Sequence, residues 1–229
     1  MKKLFDKIKG AKNAMRCYRE GVELLAAQNT DVKVFDDKFL IESKDLVRSF
    51  PFVARAIKKR QTKLIFLEPQ KAEVFAGMHS DYIDREYCEK NGIRITPFPT
   101  QGGAAVCNKG DILLICIHPM KSGFKFLEFI KPEIIGWLTK AGIENITAQG
   151  NDIEVNGKKL SGSSISYRMG MVIEGIFING SGNHNHLDAI GHKGKKREVT
   201  SLIDLGINLK DFRKWLVETT EEAGESLKG

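Results

Sequence analysis

No apolar run in the 229-residue chain approaches the eighteen or so residues that a membrane-spanning helix needs, so we expect no membrane partner. The basic start, MKKLFDKIKGAKNAMRCYRE, is broken by acidic residues and lacks a long apolar segment, so it does not read as a signal peptide; the unpaired cysteines predict a reduced, cytoplasmic protein. Cysteine is scarce. Cys17, Cys88, Cys107 and Cys116 show no CxxC spacing, which argues against both a disulfide framework and a cysteine zinc site. The phosphate-cradling GxxxxGKT pattern is missing. Gln101-Gly102-Gly103 lies between two strand-like segments rather than between a strand and a helix, so it is not a dinucleotide fingerprint. Aromatic residues are not interleaved with basic ones as a base-stacking surface requires, which disfavours nucleic acid as a partner. Neither an internal repeat nor a linker divides the chain, and a single α/β-mixed domain over residues 1–229 is the economical reading.

What is present begins with charge. The net charge of +7 suits an acidic partner such as a nucleotide, a nucleic acid or an acidic protein domain, but many soluble proteins share it and it selects none of these. Hydrophobic periodicity predicts a helix over Lys3 to Gln28, two short strands around Asp36-Asp37 within Val32 to Glu42, and a helix capped by Ser43 that runs to about Arg60 and is interrupted at Pro51. Strand patterns follow at Lys63 to Leu67 and Ala72 to Ala76, then a short helix over Asp81 to Asn91 and a strand at Ile93 to Thr96. After the glycine bend come a short strand, an apolar strand at Ile112 to Ile117, and a helix from Phe126 to Ala141 with Gly142 as its cap. The chain closes with a strand at Met171 to Asn179, a glycine- and histidine-rich loop, an extended piece at Glu198 to Leu202 and a helix from Leu209 to about Ala223.

Between these lies the most informative stretch, NDIEVNGKKLSGSS, from Asn151 to Ser164. Asp152 to Val155 reads as a strand and Asn156-Gly157 as a tight hairpin turn, since both central turn residues need positive φ. Strand alternation then places Lys159, and not Lys158, on the face of Ser161, with Gly162 permitting a close approach. A fixed cation there suits a developing negative charge on a carbonyl or phosphoryl oxygen, as in acyl or nucleotidyl transfer; lysines after a turn are also commonly just solvated. Gly102-Gly103 is either a turn or a backbone cradle for phosphate. His184, His186 and His192, with Asp188, have donor types that suit zinc or nickel, but the flanking glycines indicate an irregular loop that favours no metal. Cys116 sits in an apolar run and is expected in the core.

In their order, these segments resemble the catalytic domain of the biotin/lipoate protein ligase superfamily, most closely lipoate–protein ligases. AEVFAGMHSD, ITPFPTQGGAAVCNKGD, NDIEVNGKKLSGSS and REVTSLIDLGI carry the likeness over residues 63–229, and residues 1–62 form a divergent helical and hairpin portion. The resemblance implies an α+β fold with a central mixed, largely antiparallel sheet flanked by helices. It implies that ATP, with Mg²⁺, and lipoate or another carboxylic acid form an acyl-adenylate, and that the acyl group passes to a lysine of a lipoyl-type acceptor domain. Lys159 matches the essential lysine that contacts the carboxyl and α-phosphate oxygens. Asn151 and Asp152 match positions beside the adenylate, with Asp152 toward the metal; Gly102, Gly103 and Ala104 match the loop over it, Gly77 the strand end next to it, and Ser161 and Gly162 the strand beyond the lysine.

The chain also departs from the pattern. Pro97 and Phe98 occupy positions where the family carries arginines, Gln101 replaces the first glycine, and Cys107 stands where a histidine would fall. Replacing a guanidinium at an anionic site is not conservative: either the acid differs from lipoate or ligation is weakened, and a non-catalytic binder on the same fold is the alternative. The related octanoyl transferases use a cysteine nucleophile; none stands near the lysine segment or in the loop from Gly180 to Gly194, which leaves Cys107 as that reading's candidate. The accessory domain of many ligases is expected on a separate polypeptide. A nucleic-acid binder or nuclease, suggested by charge and the histidine loop, is the third alternative.

Overall fold

In the computed structural model, which describes residues 40–43, 53, 56–77, 80, 83–97, 103–182, 184, 186–190 and 198–226, the strands form two sheets. They are β1 (Leu40–Ser43), β2 (Lys63–Leu67), β3 (Glu73–Ala76), β4 (Arg94–Pro97), β5 (Ala104–Cys107), β6 (Ile112–Pro119), β7 (Ile146–Gln149), β8 (Asp152–Val155), β9 (Lys158–Arg168) and β10 (Met171–Ile178). The helices with described bounds include α1 (Arg85–Lys90), α2 (Phe126–Lys140) and α3 (Leu209–Ser226). A seven-stranded sheet has the order β1-β2-β6-β10-β9-β8-β7, and a three-stranded sheet the order β4-β3-β5. Of the pairs between these strands, among the described residues, only β1 with β2 and β3 with β4 are parallel. This is the mixed, largely antiparallel architecture with flanking helices that the resemblance implies.

β6 and β10 are apolar at nearly every position because both faces of the large sheet are covered, which removes the usual alternation. On one face Leu64, Phe66, Leu114 and Ile176 pack against Phe126, Ile130, Ile134 and Leu138, a four-residue spacing that forms one stripe of α2, and against Phe212 and Leu216 of α3. On the other, Leu67, Leu113, Ile115 and Ile173 meet Phe75 and Cys107 of the small sheet and Val53, Ala56 and Ile57. The buried Glu174 carboxylate accepts from the N–H groups of Phe126, at 2.8 Å, and Leu127, at 3.4 Å, so β10 supplies the acceptor for the start of α2.

The expected elements recur with shifted ends. α1 starts only after Asp84, whose side chain accepts from the Tyr87 N–H at 2.8 Å, and it ends at Asn91 before Gly92 at φ +63°. β7 was not expected: Ile146–Gln149 is a short edge strand with little apolar content to betray it. The helix over 3–28 and the first arm of the 32–42 hairpin lie outside the described residues. Leu40–Ser43 pairs in parallel with β2, and of the expected helix to Arg60 the described residues Val53 and 56–59 are helical.

Candidate active site

The Asn156-Gly157 turn has φ of 52° and 75°, and it joins β8 to β9 as the sequence predicts. The ladder it starts is not regular. Val155 faces Lys158 and Glu154 faces Lys159, yet Ile153 faces Ser161, so Leu160 is an extra residue on β9. Such a β-bulge interrupts alternation. Leu160 and Ser161 are both fully buried; Leu160 packs in the helix-side core, and Ser161 pairs with Ile153 and Ile178 of that same core. Lys159 turns to the opposite face, beside Gly162. The expectation that Lys159 shares the face of Ser161 is therefore corrected: the bulge separates them, and Ser161 points away from the cavity. An uninterrupted ladder would have placed Lys158 on the face of Gly162.

Lys159 Nζ stands 2.9 Å from Asp152 Oδ1, with the side chains 29% and 13% exposed. Lys158 is half exposed and 3.6 Å from Glu198. Both Lys159 and Asp152 border a cavity of about 210 Å³ between the two sheets. Its walls are otherwise mostly apolar: Phe75, Val106, Leu113, Phe177, Leu187 and Ile190, with Ala104 and Ala105 from β5 and Gly175 on β10. The charged pair thus sits in an oily recess, where an ammonium acts more strongly on a bound anion than it would in water.

Of the other expected site residues, Gly162 and Ala104 line the cavity, and Gly103 joins them, accepting from the Gly77 N–H at 2.9 Å. Gly102 lies outside the described residues. Asn151 is exposed, and its carbonyl accepts from the Ser163 N–H at 2.8 Å and hydroxyl at 2.7 Å, which closes the end of the hairpin. The histidines diverge: His184 bonds to Asp204 at 3.0 Å, while His186 lies 3.4 Å from the Tyr87 hydroxyl. His192 lies outside the described residues, among which no cluster of three metal-ligating side chains occurs. Cys107 is fully buried, and burial raises its thiol pKa well above the ordinary value, with Asp111 and Glu73 adding to the effect, so it is poorly suited to act as a nucleophile.

Sequence reasoning missed Asn179, Gly175 and Phe177, which reach the cavity because β10 pairs with β9 in the register Phe177 to Gly162 and Gly175 to Ser164. Gly175, Phe177 and Asn179 share a face by the two-residue period of a strand, but only a known strand partner shows which face that is. Asp111 was missed too. Its buried carboxylate accepts from the N–H groups of Asn108, Gly180 and Ser181 and from the Ser181 hydroxyl, at 2.7 to 3.1 Å, fastening the segment after Asn179 to the β5–β6 turn. Burial raises its pKa, and these bonds to the anion oppose the rise.

Comparison with known proteins agrees with this fold. A Staphylococcus aureus lipoate–protein ligase 2 is 25% identical over 117 residues, which are 50% of this chain and 34% of that relative's length. Among solved structures, that of a bi-partite lipoate protein ligase from Thermoplasma acidophilum superposes with a TM-score of 0.63 at 18% identity, covering 80% of this chain and 81% of the other. An ATP-bound lipoate–protein ligase A superposes with a TM-score of 0.64 at 17% identity, covering 80% and 83%. The family described as the lipoyl protein ligase A/B catalytic domain matches residues 52–221, most of the sequence, and the chain therefore belongs to that family.

Proposed function

We propose that this protein activates lipoate or a similar carboxylic acid with ATP and passes the acyl group to a lysine of a lipoyl-type acceptor domain. The observation that carries the reading is the Lys159 ammonium at the edge of an apolar cavity, beside Asp152. The acid's tail lies against Phe75, Leu113 and Phe177, and its carboxylate faces Lys159. A carboxylate oxygen attacks the α-phosphorus of ATP and pyrophosphate leaves. The acceptor amine then attacks the acyl carbon, AMP leaves and the amine loses a proton. In both steps Lys159 offsets negative charge that grows on the carboxyl and phosphoryl oxygens. Gly103 and Ala104 bring main chain and small side chains close to the same space.

Asp152 is the one carboxylate among the described lining residues, and hard oxygen suits Mg²⁺, which is commonly held by one or two carboxylates with substrate phosphates. Bound there, the metal would neutralise phosphate charge. An accessory domain on a separate polypeptide belongs to this reading; a Thermoplasma acidophilum protein of similar fold is described as a bi-partite lipoate protein ligase.

The test is acid-dependent exchange of pyrophosphate into ATP, with Mg²⁺ present. Exchange with lipoate or octanoate supports the reading. Folded protein that exchanges with none of lipoate, octanoate and biotin overturns it, and thermal stabilisation by these acids without turnover would identify a non-catalytic binder instead.

A further inference from the structure

We infer that Asn179 is a positioning residue that keeps Lys159 turned into the cavity by holding its main chain. β10 ends at Ile178, and residues 198–200 take its place beside β9, pairing in parallel at Lys159. Asn179 stands at this change of neighbour. Its Nδ2 donates to the carbonyls of Lys159 and Thr200, each at 3.1 Å. Its own N–H donates to the Leu160 carbonyl at 2.9 Å, and its carbonyl accepts from the Leu202 N–H at 2.9 Å. The Lys159 N–H in turn donates to the Glu198 carbonyl at 2.9 Å.

One asparagine therefore grips the carbonyls of both bulge residues, Lys159 and Leu160, and ties them to the segment behind. A bulge leaves ladder groups without their regular partners, and buried carbonyls need replacements; the Lys159 carbonyl accepts from the Thr200 N–H at 3.0 Å as well as from the Asn179 amide. The side-chain amide supplies two donors from one rigid plane; aspartate of the same shape supplies none when ionised. Because the bulge decides which lysine reaches the cavity, the group that holds the bulge also holds the cation.

The kinetic arm of the test rests on the proposed activation reaction; a second arm does not. In ATP–pyrophosphate exchange with lipoate, Asn179→Ala and Asn179→Asp are expected to lower kcat by about 10- to 100-fold, with the KM for ATP changed by no more than about twofold. Added to Lys159→Ala, Asn179→Ala should cause no further loss, because its whole effect passes through that lysine. In the second arm, NMR of lysines carrying isotope-labelled methyl groups, with the Lys159 signal assigned through Lys159→Arg, should show that signal moving toward those of exposed lysines in Asn179→Ala. A fully additive loss in the double variant, or an unmoved Lys159 signal in the folded single variant, overturns the inference. Wild-type protein without exchange would defeat the proposed reaction, and the NMR arm would still decide the role of Asn179. Should Asn179→Ala not fold, Asn179→Ser, which keeps one donor, is read by the same two measurements.

Discussion

Lys159 Nζ and Asp152 Oδ1 lie 2.9 Å apart across the β8–β9 hairpin, directly over Gly162. A Cβ on Gly162 would come within 3.0 Å of Lys159 Nζ and 3.4 Å of Asp152 Oδ1. The obstacle is the end of a flexible side chain, so the fold can absorb the new methyl while the ion pair cannot stay where it is. Gly162→Ala should leave the melting temperature nearly unchanged and lower ATP–pyrophosphate exchange by about tenfold or more. Full exchange in this variant would show that the placement of the pair does not matter.

The adjacent lysines should differ sharply. Lys159 is held at the cavity, and Lys158 is half exposed at 3.6 Å from Glu198. Lys159→Ala is expected to reduce exchange by about 10²- to 10³-fold, the usual loss when a fixed group opposite developing charge is removed. Lys158→Ala should retain most of the activity, since exposed ion pairs contribute little. Equal losses in the two variants would contradict the assignment drawn from the bulge.

Asp111 and Gly180 together secure the segment that follows Asn179. Asp111→Ala removes the acceptor of three main-chain N–H groups, those of Asn108, Gly180 and Ser181, and should destabilise the protein by at least about 3 kcal/mol. In a chain of this size that lowers Tm by roughly 6–12 °C. Gly180→Ala places a Cβ 2.0 Å from the Gly110 carbonyl oxygen, which requires the backbone to move, and should be of similar severity. Calorimetry of both variants checks this; unchanged melting would remove the proposed fastening.

Asp204 gives a pH dependence of known sign. A hydrogen bond from His184, and then one from Ser201, hold its carboxyl below the ordinary value of 3.8. The folded state therefore binds fewer protons than the unfolded state in the window below that value. The contribution of this carboxylate is fully present above pH ~3.8 and is lost as pH falls through the lowered folded value. The gap in urea midpoint between wild type and Asp204→Asn should be widest near neutral pH and close at the acid end. A gap that stays constant with pH would mean that the ionised carboxylate is not what stabilises the loop.

Much of the local structure was legible in the residues. Asn156-Gly157 specified its hairpin because few other pairs tolerate positive φ at both turn positions, and both angles are positive. The four-residue spacing of Phe126, Ile130, Ile134 and Leu138 marked the buried stripe of α2. The unbroken apolar run of Ile112 to Ile117 announced a strand covered on both faces. The closing VTSL segment, by contrast, read only as an extended piece; its pairing with Lys159 depends on residues about forty positions apart meeting in space.

Lys159 shows where the division falls. By itself the sequence determined the turn, the strand that follows it and the presence of a cation next to a small-residue run, because these depend on φ, on side-chain period and on near neighbours. Which face that cation takes was decided by the tertiary structure alone. Alternation from Ser161 selected the lysine that borders the cavity, but on a wrong premise: the extra residue at Leu160 reverses the faces, and Asn179 and residues 198–200 bond to the main chain at that point. A period of two holds only while each residue keeps one partner across the ladder, and the partners here are set by distant chain.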